Sequence, residues 1–315
     1  MKTIKKLFIY ILFIFIIGSF LAPILYFSLQ QLGLFIDCPF RRIANRAFML
    51  VAFIGLWPFL KSLNITGRKD WGFNERRKDF GTSVLKGLLF GLFSLIIIVA
   101  LEILIGCLFY MPYNKGITNF ILLSISGLIS GITIALIEES FFRGILFSAI
   151  KKDKGLVFTI FFTSLLYATA HFIGGDIKIP PEQVNFLSGF RVLLNSISFS
   201  KSSENITGAF CCLTMIGIFF GMIRHYRGSI SLQIGIHTGW VMAIKVARKI
   251  SDVNTNSPFD FLICGYDDIT GFLAFYCVAA MAICYLKIYA GKITKTQQEK
   301  INNKPQLFNE SHTEN

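Results

Sequence analysis

Two adjacent glutamates and an arginine close an apolar run in the stretch Ile137-Glu138-Glu139-Ser140-Phe141-Phe142-Arg143. An ionisable group inside such a run is costly, and is a functional hypothesis by default. On a helix, Glu139 and Arg143 stand four apart in the order that favours an ion pair on one face. Glu138 is turned away by roughly 100°. Ser124, Gly127, Gly131 and Ala135 form a sector of small residues that extends to Glu138. Small residues at this spacing let a neighbouring helix approach closely. The expectation is therefore that Glu138 points into a bundle, with Glu139 and Arg143 at the edge of the packed face. The bland reading is a buried ion network that ties helices together. One arginine neutralises one carboxylate, so the other needs a second partner.

The next apolar run supplies candidates. Ser164, Tyr167 and His171 fall within about 60° of one another on a helix. A turn at Lys151 to Gly155 joins the two runs as a hairpin. Counted from it, Glu138 lies roughly 20 Å deep and His171 roughly 24 Å. The third element is Gly235-Ile236-His237-Thr238-Gly239. Its glycines permit close packing on one side, and His237 projects from the other, roughly 13 Å from the nearer helix end. His225 falls in a basic connection, His312 in the polar tail, and Glu102 alone in the third run, where a helix contact suits it as well as the site does. His237 is thus shallower than His171, a difference that helix tilt could close, and carboxylates and imidazoles brought together in this way can activate water or relay protons.

The elements that carry these residues are spans of a membrane. Of 315 residues, 54% are hydrophobic and 16% charged, against about 25% charged in a typical soluble domain. Eight apolar segments, 7–27, 45–61, 84–112, 117–150, 155–175, 205–223, 229–247 and 270–289, match the length that crosses a bilayer. The fold class is all-α, a polytopic transmembrane helix bundle of about eight spans. The chain divides into N-terminal helices (1–112), a catalytic-type membrane core (113–250), a last loop and helix (251–290) and a disordered tail (291–315). The net charge of +13 belongs to the connections, where it meets lipid headgroups, so nucleic acid is not an expected partner. With both termini cytoplasmic, nineteen Lys and Arg fall inside and ten outside, which favours that orientation in the cell membrane. The connections 176–204 and 250–269 then lie outside. The first, with Pro180-Pro181, suits a short interfacial helix. Cys38 and Cys264 fall on one side and could bridge.

Together the three elements resemble the CAAX protease and bacteriocin-processing family of intramembrane peptidases, also called the Abi family. Its pattern is E-E-x-x-x-R, then F-x-x-x-H, then H-x-x-x-N or H-x-x-x-D. Glu138, Glu139 and Arg143 match the first, Tyr167 and His171 the second with tyrosine for phenylalanine, and His237 the third, with Val241 in place of the Asn or Asp. The resemblance spans about residues 117–245. It implies proteolysis of a membrane-associated polypeptide, either lipidated or a peptide precursor. Glu138 would be the base toward water, Glu139 with Arg143 would position the helix, and His171 and His237 would orient the water or stabilise the oxyanion. The two histidines and a carboxylate would equally suit a divalent metal such as zinc. Two other readings stay open: a degenerate member that binds membrane partners without cleaving them, as Val241 suggests, and a proton-coupled transporter.

Overall fold

The computed structural model describes residues 2–34, 38–173, 177–197, 206–263 and 267–302. Each of the eight apolar segments is a helix. They are α1 (Lys2–Gln31), α2 (Phe40–Leu63), α3 (Arg77–Leu104), α4 (Gly116–Glu139), then α6 (Leu156–His171), α8 (Ile206–Arg227), α9 (Ser231–Ile250) and α10 (Phe272–Asn302). After α4 the chain runs through a π-helical turn, Ser140–Leu146, into α5 (Phe147–Lys154) without a break. Among the described residues, six helices are long and apolar enough to cross a bilayer, α4 to α5 counting as one. The other two are the 16-residue α6 and the polar α9. Large apolar side chains such as Phe8, Phe53, Trp57, Phe93 and Ile137 stand exposed around the outside, as lipid contact requires. The chain is an all-α polytopic membrane bundle.

The third segment ends earlier than its hydrophobicity suggests. α3 stops at Leu104, Gly106 turns the chain at φ +84°, and β1 (Leu108–Tyr110) follows. β1 pairs antiparallel with β2 (Ser251–Val253), with Leu108 opposite Val253. Backbone bonds to a partner strand outweigh the continued apolar run. The 176–204 connection holds a short amphipathic helix, α7 (Ser188–Ile197). At the other end α10 runs on to Asn302, into the polar stretch where composition placed coil. Cys264, the proposed partner of Cys38, and His312 lie outside the described residues.

Glycine rows decide which helices meet. Gly235 and Gly239 of α9 face Gly87 and Gly91 of α3 so closely that a methyl on Gly239 would sit 2.6 Å from the Leu88 carbonyl. On the other side, a methyl on Gly131 of α4 would sit 2.7 Å from the Thr238 carbonyl. α9 is thus held between α3 and α4 at backbone contact, and Ser231 through Trp240 are all buried except Leu232. At the end where α1 begins, the loop 64–76 closes the bundle. Its Trp71 carbonyl touches Gly144 in the π turn, and its Asp70 carbonyl accepts from Ser148 Oγ at 2.6 Å.

Candidate active site

The buried face of α4 is the row Gly127, Gly131, Ala135, Glu139. It follows the four-residue ridge along which helices interlock, and that ridge leads to Glu139 rather than Glu138. Glu139 is fully buried at the centre of the face, not at its edge, and Glu138 is 26% exposed. The expected assignment of the two faces is therefore reversed. A fixed 100° step locates a sector but does not say which ridge the crossing helix will follow.

Glu139 has one hydrogen bond and one ion contact, its Oε2 having no hydrogen-bond partner among the described residues. Oε1 accepts from His237 Nδ1 at 2.9 Å, and Oε2 lies 3.4 Å from Arg143 Nε. Arg143 is 1% exposed. Its guanidinium carbon sits 4.1 Å from the Tyr167 ring centre, 5.4 Å from that of Phe220 and 5.7 Å from that of Phe142. Aromatic faces and one carboxylate replace water around the cation. The wider π turn carries Arg143, and Nε of Arg224 donates to the Arg143 carbonyl at 2.9 Å. Arg224 also bonds the Gly228 and Lys69 carbonyls and Ser148. Its sequence position marked it only as a connection charge. Nothing in the sequence signals its burial.

Glu138 meets both histidines. Its Oε2 lies 3.9 Å from His171 Nε2 and 3.9 Å from His237 Nε2. Nδ1 of His171 donates to the Tyr167 carbonyl at 2.9 Å, because a carbonyl can only accept. Nδ1 of His237 donates to Glu139. Both rings are thus fixed in the tautomer that turns Nε2 toward Glu138. Glu138 Oε2 is buried and has no hydrogen-bond partner among the described residues. A water beside Oε2 would satisfy it, donating one proton to Glu138 and the other to one of the two imidazole nitrogens. A shared zinc ion fits less well. Ligand bonds of 2.0–2.1 Å put neighbouring donor atoms only about 3.4 Å apart, and no group of three potential ligands among the described residues has metal-holding geometry.

These atoms border a cavity of about 670 Å³ between the α4–α9 pair and the α6–α8 pair. Ile134, Trp240, Val241 and Ile244 give it apolar walls. Val241 stands one turn beyond His237 and offers no donor. Toward β2 the wall becomes charged, with Lys245, Arg248, Asp267 and Asp268. Sequence reading did not gather these mouth residues, since their only signal is the helical register of Lys245 with His237. Ser164 leaves the expected stripe: its hydroxyl bonds Ile160 and it packs against Gly217 of α8. Glu102 is fully buried outside the cavity wall. Cys107 lies just past α3. Burial, then the nearby Glu102 and Asp260 carboxylates, raise its thiol pKa, which disfavours the thiolate.

The structure thus brings Glu138, Glu139, Arg143, His171 and His237 into one cluster at a cavity in the membrane. No curated protein and no solved structure matches the chain significantly. Residues 118–243, which contain all five, match the model of the type II CAAX prenyl endopeptidase Rce1-like family. The likeness to the Rce1-like type II CAAX prenyl endopeptidase family is thus carried by the segment from α4 to α9.

Proposed function

We propose that this chain is an intramembrane endopeptidase that hydrolyses a membrane-associated polypeptide with a water activated by Glu138. One observation carries the reading: Glu138 Oε2 stands equidistant from two imidazole nitrogens in a cavity large enough for an extended peptide. Glu138 takes a proton from the water as its oxygen attacks the scissile carbonyl. One of His171 and His237 accepts the water's other proton, and either ring in protonated form can donate to the oxyanion. Glu138 returns the proton to the leaving amine as the carbon–nitrogen bond breaks. Glu139 and Arg143 fix the His237 ring and keep the buried charges balanced. No step requires a metal, and the domain from 113 to 250 supplies every group.

Purified protein in detergent, assayed on a peptide panel, tests this. Glu138→Gln is expected to lower turnover about a thousandfold, within the range of a general base, with an unchanged melting curve. Chelation is expected to leave the rate within about twofold. Cleavage that survives the Gln substitution would remove Glu138 from the chemistry. A rate lost to chelator and restored by zinc would replace the water with a metal. Val241, which lines the cavity as an apolar residue, favours a second reading, a non-cleaving binder; absence of cleavage of every peptide by the unaltered protein would select it.

A further inference from the structure

We propose that Gln233 is a positioning residue of the site: its amide oxygen, through a buried water, holds the Arg143 guanidinium against Glu139. The inference rests on the peptidase reading and adds a residue behind the reacting groups. Gln233 lies one turn before His237 on α9 and is fully buried, outside the cavity wall. Its Nε2 donates to the Phe220 carbonyl at 3.1 Å. A carbonyl can only accept, which fixes the amide with its oxygen turned the other way. That oxygen is buried and has no hydrogen-bond partner among the described residues.

The neighbouring donors are equally bare. Nη1 and Nη2 of Arg143 are buried and make no hydrogen bond among the described residues. Helical register brings the amide to them. α4 and α9 run antiparallel, with Gly127 packed on Met242 and Gly131 on Thr238. Counted from the contact of Glu139 with His237, Arg143 is four residues on and Gln233 four residues back. Both therefore lie one turn toward the same end of the bundle. Phe220 of α8 joins the two. Its carbonyl is held by Gln233, its ring centre stands 5.4 Å from the Arg143 guanidinium carbon, and the ring stacks on Trp240 at 5.4 Å. Rings pack around the cation, but each N–H still needs an acceptor along its own direction. A buried donor or acceptor left unmatched costs the full desolvation of that group. One water satisfies both sides here, since buried waters typically make about three hydrogen bonds to otherwise unmatched groups.

The amide suits this task better than a carboxylate. A second negative charge beside Arg143 would compete with Glu139 for the cation. A neutral oxygen orients the guanidinium and leaves its charge to Glu139, whose other oxygen fixes the His237 ring at 2.9 Å. Gln233 thus acts on the reacting groups at second hand, through Arg143 and Glu139.

Moving the charge tests the placement. Glu139→Gln strands the Arg143 cation and should lower the melting temperature in detergent by several degrees. Adding Gln233→Glu should return more than half of that loss, because a carboxylate then meets the same guanidinium from the other helix. No recovery in the double variant overturns the proposal. If Glu139→Gln yields no folded protein, the comparison is read as the yield of monodisperse protein, which Gln233→Glu must then restore. A second cycle separates positioning from packing. Gln233→Met keeps the bulk of the side chain and loses its polar contacts. Its melting-temperature loss should at least halve in a Glu139→Gln/Arg143→Met background. A residue that only ties α8 to α9 would cost the same in both backgrounds, and that result refutes the role. In the unaltered background, Gln233→Met should also lower kcat about tenfold with KM within twofold; an unchanged kcat would count equally against it. Should the unaltered protein cleave no peptide, the peptidase reading has failed on its own, and the two unfolding cycles still decide whether Gln233 holds Arg143.

Discussion

Glu138 and Glu139 are chemically identical neighbours, and their surroundings give them different work. Glu139 has no exposed surface and is shared between a histidine and an arginine. Glu138 borders the cavity with one oxygen unpartnered among the described residues. The pair can be told apart by stability rather than by activity alone. Glu139→Gln leaves the buried Arg143 cation without its counter-charge, a loss of about 3–5 kcal/mol. Adding Arg143→Met removes the stranded charge, so the double variant should recover most of the melting temperature but none of the turnover. A double-mutant cycle by thermal unfolding in detergent measures the coupling. If Glu139→Gln is as stable as the parent, the ion pair does not support the fold.

At the scale of elements, much was legible in advance. The glycines at 127 and 131 and at 235 and 239 announced close helix contacts, and a hairpin counted in residues placed Glu138 and His171 at similar depth. The order of the two glutamates around α4 was not legible, because it depends on which ridge α9 follows across the helix. The π turn and the ribbon of β1 with β2 were also out of reach, since both depend on bonds to segments far along the chain. The glycine contacts can be tested directly. Gly131→Ala forces a methyl toward the Thr238 carbonyl one residue from His237, an overpacking cost of about 1–3 kcal/mol, and turnover should drop about tenfold or more. Gly81→Ala lies on α3 with nothing within 4 Å, so it should be neutral or stabilising, by up to about 1 kcal/mol. Equal effects of the two substitutions on unfolding and rate would mean that backbone contact does not set the site.

For the whole molecule, the charge count and the position of the cavity lead to one proposed orientation. With both termini cytoplasmic, the loop 64–76 closes the inner end and the charged mouth opens outward beside β2. Single cysteines on a cysteine-free background test it with an impermeant maleimide. Asn256→Cys should react in intact cells, and Arg68→Cys only after permeabilisation. The reverse pattern would place the mouth in the cytoplasm and invert the assignment of every loop. The mouth itself could not be read from sequence, because Lys245, Asp267 and Asp268 come together only when α9 and the segment before α10 fold back over β1.

The brevity of α6 bears on the surrounding lipid. Its 16 residues rise about 24 Å, less than the roughly 30 Å of a hydrocarbon core. One way for lipid to match so short a span is for the acyl chains alongside it to shorten or tilt, and a thinner bilayer on that flank is the expected outcome. The dimple brings the headgroup boundary down toward His171, and with it the aqueous phase that hydrolysis consumes. Turnover in liposomes is therefore expected to fall as the acyl chains are lengthened, and a rate independent of bilayer thickness would count against the dimple.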